Sequence, residues 1–461
     1  MRPYKQLLAI IFLIIILSSN YAIFAQETPE NITIEFDTET YGQVSQSLGV
    51  IVPNSLSPQT VGEIKSTFPN GTIYLKLVNP TTSTVNSSGF QELYQAGFKW
   101  YFLFTNANNA FGVVDAYTGL YSPERLVIEV EKDDTAFITD LKGSYSAVRI
   151  HAGHLPVWPR SQVNEILSQV QPPTIEGISF WLGLIDEGQG VFRDVEFAFD
   201  TLFDASKAIA GEKVNFPANT ILSMSNNQFP SYSDQRKTAY LSGLLSGTVI
   251  TSVQSQGRGG EAPIRYVIPG TYDQFSASEK VLLFHFARFM SLSPQIVWPY
   301  AIPNNGDIWD NGIFPQSNTK PIVGVIGKID QGYYGFITNA GEAPVKAVFS
   351  SGNDLSLYTK ISTMKPQVTV TDGSIFLDAH ETVIFHPASL PNISPVPTDD
   401  ITITQPPTAP PDATCEQKKR TGDYNCNNIT NDEDFNQWLS DFTQKKVTVL
   451  QYFESWRRSF Y

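Results

Sequence analysis

The residues best suited to chemistry are carboxylates that collect at the end of one short apolar run. Residues 125–134 read Arg-Leu-Val-Ile-Glu-Val-Glu-Lys-Asp-Asp. A β-branched strand that breaks into Glu129, Glu131, Asp133 and Asp134 resembles an inner strand of a parallel barrel opening into a pocket. Strand alternation sends Glu129 and Glu131 to one face, and the residue nearer the strand's end lies nearer the pocket. General acid/base chemistry needs a second carboxyl facing the first. The run Leu184-Ile-Asp186-Glu187-Gly188 supplies candidates, so Glu131 with Glu187 is the preferred pair, with Asp186, Asp133 and Glu129 in reserve. The bland alternative for each acid is a solvated loop residue or a helix cap.

Other polar and aromatic groups fall where strands are expected to end: Asn106, His151 and His154, Trp158, Asn226 and Gln254. They are candidate substrate-binding residues. His151 and His154 also permit a metal reading, but Gly153 lies between them and no third ligand is near. Arg236 and Tyr240 fall on a helical pattern, and His285 sits in an apolar helix where a core histidine is the default. No Gly-x-Ser-x-Gly elbow occurs, and no cysteine lies in this region, so a nucleophilic Ser or Cys has no foothold.

The elements that would position these groups alternate short apolar runs with amphipathic stretches. Runs 48–53, 72–78, 98–104, 125–134, 146–150, 177–184, 220–225 and 248–253 make eight candidate strands, with helical patterns between them. Eight βα units over residues 47–319 predict a closed (β/α)8 barrel, a TIM barrel of the α/β class. An open doubly wound sheet is the runner-up, without a Gly-x-Gly-x-x-Gly to support it. Residues 26–46 read as a polar arm. Residues 320–387 carry short strands broken by Asn-Ala-Gly, Ser-Gly-Asn and Asp-Gly turns, which predict a small antiparallel β-sandwich. Residues 388–414 are rich in Pro and Thr and read as a tether.

The tail, 415–461, holds a loop with oxygen side chains at positions one, three, five and twelve: Asp423, Asn425, Asn427 and Asp434. That is the spacing of a calcium loop, followed by Phe435 and Trp438 opening a helix. Residues 429–438 recur eighteen positions later as 447–456, without the ligands. This tail resembles a dockerin, the duplicated calcium-loop module that attaches secreted carbohydrate-active proteins to scaffolds. The resemblance implies Ca2+ held by Asp423, Asn425, Asn427, the Ile429 carbonyl and Asp434, and a cohesin-like or other cell-surface protein as partner. Asn427 and Asn428 depart from the usual acid and glycine, and an ion-free turn between two helices is the alternative. Cys415 and Cys426 flank the loop, and in an exported chain they are expected to pair as a disulfide, free thiols being the other possibility.

Export is expected from residues 1–25: Arg2 and Lys5 precede the apolar run 7–17 and the small-residue end at Ala25, as in a cleavable signal peptide. An uncleaved anchor is the rival, and no later run is long and apolar enough to cross a membrane. With 45 acidic against 31 basic residues the chain lacks a nucleic-acid surface, while 7 Trp and 20 Tyr suit sugar stacking. Barrel, sandwich and dockerin-like tail together resemble the glycoside hydrolases built on a (β/α)8 barrel. That resemblance implies a secreted protein acting on polysaccharide, without a cofactor in the barrel, through paired carboxylates. The run ending Ser225-Asn226-Asn227-Gln228 lacks the acid those enzymes keep on strand seven. A non-catalytic carbohydrate-binding or surface-attachment protein on a decayed barrel is therefore the alternative.

Overall fold

The computed structural model describes residues 30–35, 40–68, 73–107, 109–131, 135–156, 174–182, 190–191, 194–195, 198, 221–225, 232–257, 264–299, 322–350, 357–368, 370–371 and 373–390. The signal, tether and tail predicted for residues 1–25, 388–414 and 415–461 lie outside these, save Ala388, Ser389 and Leu390.

The first described elements in chain order are β1 (Glu30–Glu35) and β2 (Gly42–Gln43). The barrel strands follow as β3 (Ser47–Ile51), β4 (Tyr74–Val78), β5 (Lys99–Phe104), β6 (Leu126–Glu131), β7 (Arg149–Pro156), β8 (Gly177–Trp181), β9 (Ile221–Ser225) and β10 (Ile264–Ile268). All eight pair in parallel in sequence order, and β10 closes on β3 through Tyr266 and Val267 opposite Ser47 and Leu48. The barrel predicted from alternating runs is present.

Period-two alternation builds its two surfaces. Leu75 and Leu77, Trp100 and Phe102, Ile128 and Val130, and Ile178 and Phe180 face outward into the main apolar core with helix residues Ile64, Phe90, Leu93, Tyr117 and Ile138. Phe90 stacks on Trp100 with ring centroids 3.7 Å apart. The alternate residues face the barrel axis, where Ile51, Tyr74, Tyr101, Val127, Tyr266 and Ile268 form a cluster of their own. Helix starts are marked by side-chain caps: Ser57 before Pro58–Thr67, Ser87 before Ser88–Gln95, and a capping box of Ser276 with Glu279 before Ala277–Ser291.

The eighth strand departs from the sequence reading. Residues 248–253, Thr-Val-Ile-Thr-Ser-Val, lie inside a 24-residue helix, Asp234–Gly257. Their β-branched run suggested a strand, but the hydroxyls are spent within the helix: Thr248 Oγ1 donates to the Leu245 carbonyl (2.8 Å) and Thr251 Oγ1 to that of Gly247 (2.9 Å). Such back-bonding lets a Thr- and Ser-rich helix be buried on nearly every side, as this one is from Thr238 to Val253. The true eighth strand is β10.

The remaining strands, β11 (Gln295–Pro299), β12 (Ile322–Ile329), β13 (Gly332–Asn339), β14 (Val345–Ser350), β15 (Tyr358–Ser362), β16 (Val370–Thr371), β17 (Ser374–Leu377) and β18 (Thr382–Pro387), form two sheets with the N-terminal strands. One has the order β1-β14-β17-β16 and the other β15-β18-β13-β12-β11-β2. Residues 26–46 are thus not merely an arm, because β1 pairs along its length with β14 and β2 pairs with β11. Ile32 and Ile34 of β1 alternate with polar residues, a strand signal short enough to pass as coil. Likewise β11, placed by the sequence reading within the barrel segment, belongs to the six-stranded sheet.

That sheet is apolar on both faces. Ile326, Ile337 and Phe385 pack with Ile32, Ala347 and Leu377 of the other sheet, while Val325, Phe336 and Ile384 join the main core. Phe336 stacks on Phe286 of helix Ala277–Ser291 at 3.7 Å. Barrel and sheets belong to one compact unit. Among the described residues, no helix is long and apolar enough to cross a membrane.

Where helix meets sheet, His285 shares a hydrogen bond between its Nδ1 and the Tyr334 hydroxyl (2.7 Å) and stacks on His386, ring centroids 5.8 Å apart. His285 is the core histidine its apolar helix predicted. Burial, with smaller contributions from His386 and Arg288, lowers its pKa to about 3, and burial lowers that of His386 as well. In the unfolded chain each titrates near its ordinary 6.5, so on acidification the unfolded state takes up the protons first. Stability is complete above that value and falls as pH drops below it, by roughly 1 kcal/mol per pH unit for each buried histidine. Urea unfolding between pH 7 and pH 4 is expected to show this loss, with a shallower slope in His285→Gln; an unchanged slope would remove His285 from the acid response.

Candidate functional site

The barrel interior is polar at mid-height. Lys76 of β4 sends its ammonium to Glu129 Oε2 of β6 at 2.7 Å, and each side chain is only 1% exposed. Ser179 of β8 donates its hydroxyl to Glu129 Oε1 at 2.5 Å. The carboxylate therefore has a cation on one oxygen and a donor on the other. Beside it, the Lys76 ammonium lies 5.2 Å from the Tyr101 ring centroid, and the Tyr101 hydroxyl meets His151 Nδ1 at 3.1 Å. Below, Arg149 donates to the hydroxyls of Tyr266 (2.8 Å) and Tyr74 (3.2 Å) and to the Glu124 carbonyl (2.6 Å), closing the amino-end of the barrel.

His151 is fully buried within β7, whereas the sequence reading put it on a loop. Burial lowers its pKa to about 3 against the opposing pull of Glu129, so it is a neutral imidazole. The strand was expected to end at Ile150, yet β7 runs on to Pro156 through a bulge between Ala152 and Leu155. Gly153 has φ +139°, and a Cβ there would come within 2.3 Å of the Ser179 carbonyl oxygen. Only glycine lets β7 and β8 approach this closely, and a bulge at a barrel rim is a common device for re-aiming side chains.

Glu131, two residues beyond Glu129 on the same face of β6, is partly exposed at the rim. Its partner across the ladder is Gly153, which is buried against the backbone of Ser179. On β8, Phe180 and Leu182 face the outer core, so Trp181 shares the inward face of Ser179. Glu129 and Ser179 touch across β7, and the next inward residues up, Glu131 and Trp181, stand about 7 Å above that contact on the same two strands. Glu131 and Trp181 therefore stand on the two strands that flank β7 near its carboxyl end.

Among the remaining sequence candidates, Asn106 is exposed just beyond β5, and His154 lies within β7. Gln254 is on helix Asp234–Gly257, not after a barrel strand, for the reason given for residues 248–253. Asp133, Trp158, Asp186, Glu187 and Asn226 lie outside the described residues, as do Asp423, Asn425, Asn427, Ile429, Asp434, Cys415 and Cys426. Among the described residues, no group of three or more His, Cys, Asp or Glu side chains could hold a metal ion. Sequence reasoning passed over Lys76, Tyr101, Ser179 and Trp181. Lys76 was findable: a lysine inside Ile-Tyr-Leu-Lys-Leu-Val, with a glutamate inside Leu-Val-Ile-Glu-Val two strands on, is a buried pair waiting to be matched.

No protein-family model matches the sequence, and no curated protein matches it. Among solved structures, the chain is similar to a GH30 endoxylanase from Clostridium papyrosolvens C71, with 13% identity over 77% of this chain and 99% of that one and a TM-score of 0.47. It is similar also to a GH39 β-xylosidase from Caulobacter crescentus, at 11% identity, 77% and 99% coverage and a TM-score of 0.45. A third is N2152 from Neocallimastix frontalis, at 11% identity, 78% and 99% coverage and a TM-score of 0.47. Likeness at this level assigns neither substrate nor residue roles.

The buried ion pair makes a direct prediction. Removing one partner strands a desolvated charge, which costs about 3–5 kcal/mol, whereas replacing both with apolar residues of similar size is near neutral. Lys76→Met is therefore expected to lower unfolding free energy by that amount, and Lys76→Met with Glu129→Leu to recover much of it. A double variant no more stable than the single one, measured by denaturant titration, would contradict the assignment.

Proposed function

We propose that this chain is an exported glycoside-hydrolase-like protein that takes a polysaccharide at the carboxyl-end mouth of its barrel. The observation that carries the reading is the position of Glu131: a partly exposed carboxyl at the end of β6, above an interior in which Glu129 is already occupied by Lys76 and Ser179. An acid so placed can reach a glycosidic oxygen, while Glu129, buried and paired on both oxygens, cannot. Glu131 is the proposed general acid/base. Glu187, six residues past Trp181, is the proposed opposing carboxylate, with Asp186 as its substitute. Two acids about 5 Å apart would give retention, and about 6.5–9.5 Å inversion.

The reading extends to the ends of the chain. Residues 1–25 act as the export signal, residues 320–387 with β1 and β2 form a β-sandwich, and residues 415–461 form a dockerin-like module. That module binds Ca2+ through Asp423, Asn425, Asn427, Ile429 and Asp434, is clamped by Cys415 and Cys426, and docks on a cohesin-like surface protein. Support here is the loop spacing and its repeat.

Reducing-end release from a panel of polysaccharides tests the chemistry. Wild type is expected to release sugar, and Glu131→Gln and Glu187→Gln to do so about 100- to 10,000-fold more slowly. Equal turnover in wild type and Glu131→Gln would take Glu131 out of the mechanism, and a wild type inert on every polymer would leave the non-catalytic binding protein as the better account. For the tail, calorimetric titration of the full chain with Ca2+ is expected to give heat that Asp423→Ala with Asp434→Ala abolishes.

A further inference from the structure

Asn79, the residue after β4, has φ +48°, a left-handed backbone that residues with side chains seldom adopt. It does so directly before Pro80, whose ring favours an extended chain at the preceding position. Strain of this kind persists only where the surroundings over-determine it, and it gathers at functional sites. Burial does not force it here, since Asn54 and Asn79 are both exposed. Hydrogen bonds do. The Asn79 N–H donates to the Leu103 carbonyl (2.7 Å), its Nδ2 to the Thr105 hydroxyl (2.8 Å), and its Oδ1 accepts from the Thr105 N–H (2.9 Å). From the other side, Asn54 Nδ2 donates to the carbonyls of Val78 (2.9 Å) and Asn79 (3.4 Å). The Asn79 side chain thus acts as an extra peptide group, carrying the pairing of β4 with β5 past the point where both strands end.

What this extension holds is the wall next to Glu131. β5 and β6 pair with Tyr101 opposite Val127 and Phe104 opposite Val130, so the same register continued by one residue sets Thr105 level with Glu131. Tyr101 and Val127 both face the barrel axis, and Thr105 and Glu131 each lie four residues further along with the same parity. Both are partly exposed. The Thr105 hydroxyl, having accepted from Asn79, retains its own proton to donate. Strand exits lose their ladder partners, and the clasp removes that freedom on the β5 side of the acid.

We infer that Asn79 is a positioning residue: its strained clasp on Thr105 fixes the exit of β5 beside Glu131 and so the wall against which that carboxyl works. The inference rests on reading Glu131 as the acid of the mouth, and one of its two tests needs no turnover.

Hydrogen–deuterium exchange of the full chain, followed in fragments covering residues 103–107, reads the clasp directly. Asn79→Gly keeps the left-handed backbone without strain and has no amide side chain. In it, exchange at the Thr105 N–H is expected to quicken about tenfold or more, with fragments from β7 and β8 unchanged. Asn79→Asp, which keeps an acceptor for that N–H and tolerates the left-handed backbone, is expected to restore the protection. Urea unfolding of both variants checks that the barrel is intact. On a polysaccharide that wild type cleaves, Asn79→Gly is expected to lower kcat about tenfold with KM within about twofold, because positioning and not affinity is lost. Unchanged exchange at Thr105 would overturn the inference whether or not wild type is a hydrolase, as would quickened exchange with kcat intact. Quickened exchange with wild type inert on every polymer would uphold the clasp while removing the hydrolase reading.

Discussion

The contact on which the barrel's functional geometry depends is the knot of Lys76, Glu129 and Ser179. Three alternate strands meet there, with Lys76 and Glu129 each only 1% exposed, so the charges hold one another or the core fails. Burying an ion pair is a poor way to gain stability, because desolvation offsets most of the attraction. What the knot does supply is position. Bonds from both β4 and β8 to one carboxylate fix the height of β6 against its neighbours, and hence the height at which Glu131 reaches the rim. A purely apolar filling, such as Val127 and Ile268 provide one layer down, would tolerate a slip that this polar layer does not.

A second constraint works from outside. The six-stranded sheet is buried on both faces, with Phe336 against helix Ala277–Ser291 and Ile337 against the four-stranded sheet. A sheet of that kind cannot be detached from the barrel without exposing a face of the main core. The segment before the first barrel strand is drawn into the same arrangement, since β1 and β2 fill edge positions in the two sheets. Consequently the barrel and the later strands are not separate modules strung along a chain, although the sequence reads that way. The His285–His386 stack is buried in that interface, and burial lowers the pKa of both imidazoles.

These two features also mark where the sequence was legible and where it was not. Seven barrel strands could be read because each is a short apolar run with one strong face, and their order followed from alternation with helices. The eighth could not, because the pattern of residues 248–253 fits a strand and a buried helix equally; the deciding fact, hydroxyls bonded to carbonyls a turn back, is invisible without coordinates. β1 was hidden by its shortness and by a partner, β14, more than 300 residues away. At the site, the inward parity of Glu129 and Glu131 was legible, but which of the two is consumed by the core was not. That depends on Lys76 and Ser179, whose strands flank β6 at one remove on either side.

The same topology bears on where a second acid can stand. Adjacent strands lie about 4.8 Å apart, so staves two places removed are separated by about 9–10 Å and those three removed by about 14 Å along the wall. Opposing acids on β6 and β9 must therefore lean inward across most of the barrel. Acids at the ends of β6 and β8 need only span β7, and the Glu129–Ser179 contact shows that side chains on those strands do meet over it. An acid supplied from the β8 side of the mouth would need no carboxylate on β9, whose last described residue is Ser225. The missing strand-seven acid is then no argument against bond cleavage, because the chord from β6 to the β8 side is the shorter one.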